Sequence, residues 1–306
     1  MRLRFGALLL ALLVGISTRC AEARVIVEYP PTVSVGSPFI IRITAESPIT
    51  SAEAVWQGRT IPLDLRNWNG MQVAAGLFGT QVGKVAPHEH GMRVRIVSPR
   101  GKKERMLAIR VLPKKYVEDR LSLPEHMVTP PSSVLNRIKG ERVLTASALS
   151  TVTGKRMWDL PIERPVPGIV TSPYGRRRIL NGQPRTHHGG MDFRAATGTP
   201  VRAAFAGKVI LTGDHYYAGK SIYVDSGGRV ISHYFHLDAI DVQRGDILSA
   251  GQVIGRSGMS GRATGPHLHF GVAIGGQMVN PEPLFSATVQ SMLDKRAVVT
   301  IPVTAP

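Results

Sequence analysis

The stretch P-H-L-H-F-G-V-A-I from Pro266 to Ile274 constrains this chain more than any other. Leu268, Phe270, Val272 and Ile274 alternate with His267, His269, Gly271 and Ala273. A period of two predicts a β-strand with one dry face and one face open to polar chemistry. The two histidines then point the same way, one step apart, and Gly271 and Ala273 leave room beside them. A second segment, T-H-H-G-G-M-D-F, places His188 and Asp192 in H-x-x-x-D spacing. An even separation puts both side chains on one strand face. Gly189 and Gly190 argue against a helix there and let the backbone approach a bound ion or substrate.

Three of the side chains His188, Asp192, His267 and His269 make a ligand set for one divalent metal. Zinc takes imidazole nitrogen and carboxylate oxygen at about 2.0–2.2 Å, and a catalytic zinc keeps one position open for water. The fourth side chain, with His236, is available for proton chemistry. A short motif such as H-x-H matches by chance, but seven of the ten histidines fall between His187 and His269. That clustering, on a well-patterned strand and a Gly-rich turn, favours a zinc hydrolase.

At these residues the chain resembles the lysostaphin-type (LytM-type) zinc endopeptidases, which cut peptide cross-links in peptidoglycan. The family pattern H-x-G-x-D is present as His188-Gly189-Gly190-Met191-Asp192, Y-x-H-L as Tyr234-Phe235-His236-Leu237, and H-x-H as His267-Leu268-His269. The likeness covers about Pro165 to Phe285, and P-V-P-G-I-V-T-S-P-Y-G and V-L-N-R-I-K extend it to Gram-negative two-domain members. The resemblance implies one Zn2+ per chain on His188, Asp192 and His269, with His236 and His267 as the catalytic pair. Asp225-Ser226-Gly227 stands where the family often has D-H-G, and Lys220 where it often has Asn. Neither is a metal position, so both bear on substrate fit.

The chemistry implied is attack by a zinc-acidified water, whose pKa falls to about 7 in favourable sites. His236 and His267 would share two jobs, taking a proton and hydrogen-bonding the developing oxyanion. On Arg229–Leu237, strict alternation puts His236 with Val230, Ser232 and Tyr234, and His233 on the opposite face. His233 and His236 cannot both face the zinc unless a bulge intervenes. Parity does not choose between them; the Y-x-H-L match chooses His236.

The N-terminus, M-R-L-R-F-G-A-L-L-L-A-L-L-V-G-I, followed by A-E-A at Ala21–Ala23, reads as a secretory signal peptide over residues 1–23. The apolar run is shorter than the roughly 20 residues a membrane span needs. This predicts an exported protein of the periplasm or cell envelope. Cys20 is the lone cysteine and would leave with the signal, so no disulfide or thiolate ligand is expected. The formal charge is +17; loss of residues 1–23 removes three arginines and one glutamate, leaving +15. Such a surface attracts polyanions. The expected partners are peptidoglycan stem peptides, with an anionic envelope surface second. Export argues against nucleic acid, and the oligomeric state stays open.

The chain reads as mainly β. Residues 24–113 give short strands separated by P-P, G-S-P, W-N-G and P-R-G turns, an Ig-like β-sandwich. Residues 114–164 form a connector with a short helix, for which Ser132 or Ser133 is the candidate cap. Residues 165–285 are expected as a compact antiparallel β-fold of the lysostaphin type with the zinc in a groove, and 286–306 as a tail with a short helix near Val289–Lys295. Two other readings compete. Val224-Asp225-Ser226-Gly227-Gly228 resembles the G-D-S-G-G of serine proteases, but the leading Gly is absent and a hairpin turn accounts for the glycines. A non-catalytic or latent wall-binding regulator of another murein hydrolase is the alternative on the same fold. The regulator would have lost a ligand or a catalytic histidine, and this chain keeps all five.

Overall fold

The structure, a computed structural model, describes residues 24–122 and 124–303. The expected signal peptide and Cys20 lie outside the described residues. The chain is mainly β, as its alternating segments predict. Two five-stranded sheets form an N-terminal sandwich. One runs in the order Ala297–Pro302, Arg24–Tyr29, Pro38–Ala45, Met71–Gly79, Arg66–Trp68. The other runs Thr32–Ser34, Gly101–Leu112, Glu89–Ser98, Ser51–Trp56, Arg59–Leu63. Between them pack Val25, Val27, Ile41 and Ile43 from the first and Val94, Ile96, Leu107 and Ile109 from the second, all buried. Burial of each such side chain contributes about 1.5–3 kcal/mol. Trp56 closes this core and donates its indole N–H to the Gly79 carbonyl at 2.7 Å. Trp68 is 61% exposed at a hairpin end.

The C-terminal half is a ten-stranded sheet. Its main path is Val170–Ser172, Met191–Arg194, His267–Ile274, Val230–Ile240, Gly219–Asp225, Gly207–His215, Ile247–Leu248. The paired strands are antiparallel throughout. Phe193, Phe205, Tyr234, Phe270 and Val272 fill its core. Ile40, Ala75 and Leu77 of the sandwich belong to that same core. The strands Pro38–Ala45 and Met71–Gly79 are therefore covered on both faces, Ile41 and Phe78 towards the sandwich, Ile40 and Leu77 towards the second half. That double burial explains the unbroken F-I-I run at Phe39–Ile41, because a strand covered on both sides needs no polar face. Gln81 and Gln277 stitch the same junction: Gln277 Oε1 accepts from the Gln81 amide at 3.1 Å, and Gln81 Oε1 from the Met278 amide at 3.0 Å.

The segments between and after the halves are more structured than their composition suggests. Glu118–Leu121 pairs in parallel with Arg177–Leu180. The helix is Leu135–Leu149, entered through a 3-10 turn at Ser132–Val134. Neither serine caps it, since its N-cap is Val134 with no side-chain hydrogen bond. The tail makes a 3-10 turn at Ser291–Leu293 rather than an α-helix, then pairs Ala297–Pro302 with Arg24–Tyr29 and completes the sandwich.

Candidate metal centre

Asp192 and His269 sit directly opposite each other on neighbouring antiparallel strands. Opposed residues in such a ladder bring their Cβ atoms to about 4.5–5.5 Å, close enough for a shared ligand. His188 arrives differently. It lies just past the strand Gln183–His187 and outside Met191–Arg194, so H-x-x-x-D is a turn and not one strand. Its amide donates to the Arg176 carbonyl, and its carbonyl accepts from Gly175. The turn needs Gly190: a Cβ there would stand 2.4 Å from the Phe270 carbonyl oxygen and 2.8 Å from His269 Nε2.

The three donor atoms converge. His188 Nε2 is 3.0 Å from Asp192 Oδ1 and 3.0 Å from His269 Nδ1, and His269 Nδ1 is 2.8 Å from Asp192 Oδ1. Among the described residues this is the one group of three or more such donors close enough for a metal. Its protonation fits a cation. His188 Nδ1 lies 3.0 Å from the Pro173 carbonyl, which can accept only, so the network assigns the proton to Nδ1. In the neutral ring Nε2 is then a bare lone pair facing a carboxylate oxygen. Two acceptors at that distance call for a positive ion. The Asp192 carboxyl is buried between the two imidazoles and presents Oδ1 to both. Arg178 clamps its other oxygen, Nη2 to Oδ2 at 2.8 Å, which turns Oδ1 towards the histidines. Imidazole and carboxylate donors in this number fit one zinc ion.

His236 and His267 stand beside the triad with ring centroids 4.7 Å apart. Each is tethered through Nδ1 to a backbone carbonyl, His236 to Ser260 and His267 to Gly265, both at 2.8 Å. Each therefore presents Nε2 to the site. His236 faces it because of a bulge. Across from Gly219–Asp225, Tyr234 pairs with Ile222 but Leu237 with Lys220, so one residue is extra. His236 takes φ of 61°, the left-handed region that non-glycine residues rarely enter. After the bulge Leu237 returns to the core that holds Tyr234, and His236 joins the face of His233 and Phe235. Burial, then the fields of His267 and His269, push the His236 imidazole down to about 3.

His233 lies behind the site. Phe235 stacks on His269 at 5.2 Å, and His233 on both Phe235 at 4.6 Å and His269 at 5.7 Å. Burial, then the fields of His269 and His188, keep His233 well below its ordinary pKa, and burial takes His269 to about 4. These rings are neutral when folded and titrate near 6.5 when unfolded. The unfolded chain then binds more protons between about pH 4 and 6.5, so stability rises with pH through that window. Metal-stripped protein should lose stability as pH falls from 7.5 to 5, by at most about 1.4 kcal/mol per pH unit per histidine below 6.5. Thermal unfolding of the metal-free protein reads this; a melting temperature flat from pH 7.5 to 5 contradicts it.

The site opens into a cleft of about 520 Å³ lined by His188, Asp192, His236 and His267 and by Arg176, Arg178, Arg185 and Arg262. The sequence reading missed these arginines. A run such as Arg176-Arg177-Arg178 looks like solvated charge until Arg177–Leu180 is placed beside the cleft. Ser226 is not a nucleophile: its Oγ is buried without a hydrogen-bond partner, in the turn made by Gly227 and Gly228 at φ of 79° and 59°.

Residues 186–281 match peptidase family M23. The peptidoglycan DD-endopeptidase ShyA of Vibrio cholerae is 43% identical over 112 residues, 36% of this chain and 26% of that protein. The DD-carboxypeptidase/endopeptidase Mpg of Neisseria meningitidis is 38% identical over 116 residues, 37% of this chain and 26% of that protein. The chain thus spans about a quarter of the length of these curated relatives. A crystal structure from Pseudomonas aeruginosa, provisionally described as a peptidase M23, has a TM-score of 0.59 at 28% identity and covers 79% of this chain and 89% of its own.

Proposed function

We propose that this chain, which carries a domain of peptidase family M23 at residues 186–281, is a zinc-dependent endopeptidase that hydrolyses peptide cross-links of peptidoglycan. The observation that carries the reading is the convergence of His188, Asp192 and His269 beside two backbone-tethered imidazoles at the floor of an open cleft. When bound, zinc would supply a Lewis acid for the scissile carbonyl and acidify a water. The chain's own residues do the rest. His188, Asp192 and His269 hold the ion, and Arg178 fixes the rotamer of Asp192. His236 and His267 move a proton and hydrogen-bond the developing oxyanion through their Nε2 atoms. Phe235 and His233 form a dry floor behind His269.

Peptidoglycan is supported by the likeness to ShyA, a peptidoglycan DD-endopeptidase. Export to the periplasm or envelope is supported by the sequence of residues 1–23; among the described residues no helix is long and apolar enough to cross a membrane. Latency is a second reading. Asp119, on Glu118–Leu121, lines the cleft and pairs with Arg176, and the Val128 carbonyl accepts from Arg185 Nη2 at 3.0 Å. The function is tested with a cross-linked muropeptide dimer. Chelator-stripped protein should leave it intact, and about one equivalent of zinc should restore cleavage, as a single site requires. Cleavage that is equally fast without metal overturns the reading.

A further inference from the structure

The arginines of the cleft are held in place for a ligand that the metal centre alone does not explain. Gly261 and Gly219 lie backbone to backbone: a Cβ on Gly261 would stand 2.3 Å from the Gly219 nitrogen, and one on Gly219 would strike Ser260. Only glycine permits this approach at their φ values of 72° and 60°. The contact locks the loop after Ser257 onto the turn at Tyr216–Ala218, and Arg262 donates its amide to the Tyr217 carbonyl at 2.9 Å. The Arg262 guanidinium then lies over the Tyr217 ring, 4.4 Å from its centroid. Stacking of this kind pre-organises the planar fork of an arginine.

The same loop carries the carbonyls of Ser260 and Gly265 that tether His236 and His267. Arg262 is thus rigidly placed beside the groups that meet the scissile bond. Arg178 and Arg185 share the cleft with it. Burial, and beyond it the charges of these two arginines, lower the Arg262 pKa. Arg176 is matched by Asp119, and Arg178 by Asp192. Arg185 meets only uncharged oxygens among its described contacts, those of Val128, Gln183 and Pro184. Among the described residues the cleft wall gathers four guanidiniums and two carboxylates, one of them a metal ligand. Like charges gathered in a partly desolvated wall favour a bound anion.

We propose that Arg262, with Arg185, binds a free carboxylate of the substrate peptide close to the bond that is cut. The proposal rests on the peptidase reading of the same site and adds what that reading lacks, the charge its substrate must carry. The carboxylate is an acidic side chain of the stem peptide or a chain terminus, and both present the same fork-shaped acceptor.

The test is binding to metal-stripped full-length protein by calorimetry, so that turnover plays no part. Three synthetic stem tetrapeptides are compared: one with all carboxylates free, one amidated at the acidic side chain, one amidated at the C-terminus. A charge-assisted contact of this kind predicts that one amidation weakens binding by about ten- to a hundredfold, and the arm that does so identifies the source. Arg262→Gln and Arg185→Gln should reduce the free peptide to the affinity of that amide and leave the amide's own affinity unchanged. Arg262→Lys should recover only part, because a point charge lacks the fork. Equal affinity for all three peptides, or no binding of any, overturns the proposal, as does an Arg262→Gln loss equal for free and amidated forms. Carboxylate-dependent binding by a zinc-loaded protein that cuts no cross-link would instead sink the peptidase reading and leave this one standing.

Discussion

Asp192→Ala and His269→Ala should each strip the protein of zinc and of activity. Asp192 Oδ1 lies within 3.0 Å of both histidine donors, so its removal takes away the formal negative charge that faces them among the described residues. It also leaves Arg178 pointing at the site without its carboxylate partner, and that positive charge opposes a cation. His269 supplies Nδ1 from a fully paired strand position, and no described neighbour can replace it. Loss of even an outer hydrogen-bond partner of a ligand costs about 10–100-fold in affinity or activity, so loss of a ligand should exceed about 100-fold. Metal analysis of each purified, folded variant decides it. Full zinc occupancy in an Asp192→Ala, His269→Ala double variant contradicts the ligand set.

The second large effect separates holding the metal from using it. His236→Asn and His267→Ala should retain about one zinc, since neither removes a ligand, and lose about 10²–10⁴ in turnover, the usual worth of a positioned acid or base. Asn is the better replacement at His236 because φ there is 61° and Asn tolerates the left-handed region. An alanine would confound lost chemistry with backbone strain. Zinc content and muropeptide cleavage are measured on the same preparations. A variant at either position with wild-type turnover removes that histidine from the mechanism.

The sequence carried these residues with uneven clarity, for physical reasons. His267-Leu268-His269-Phe270 was legible because period two is local: each neighbour votes for the same pleat. The pairing of Asp192 with His269 was not, because register is set by contacts some 77 residues apart. The bulge at Phe235–His236 broke the parity that would have turned His236 from the zinc, and one extra residue leaves no mark in composition. It leaves both His236 and His233 on the zinc side, one at the site and one buried behind it. The shared core of Ile40 and Leu77 was hidden for a related reason. An apolar run shows that a strand is buried, not what covers its second face. Arg178 and Arg262 gave no sign of lining the cleft, because the turns that bring them there depend on Gly175, Gly219 and Gly261, whose backbone angles no pattern states.

The central claim is most directly tested by the products of one reaction. Zinc-loaded protein is incubated with a cross-linked muropeptide dimer of known structure, and the products are weighed by mass spectrometry. Two monomeric muropeptides whose masses sum to the dimer plus one water, absent when His236→Asn is used, are the predicted result. An intact dimer after incubation with folded, fully zinc-loaded protein, or glycan fragments with the peptide bridge uncut, would contradict the assignment.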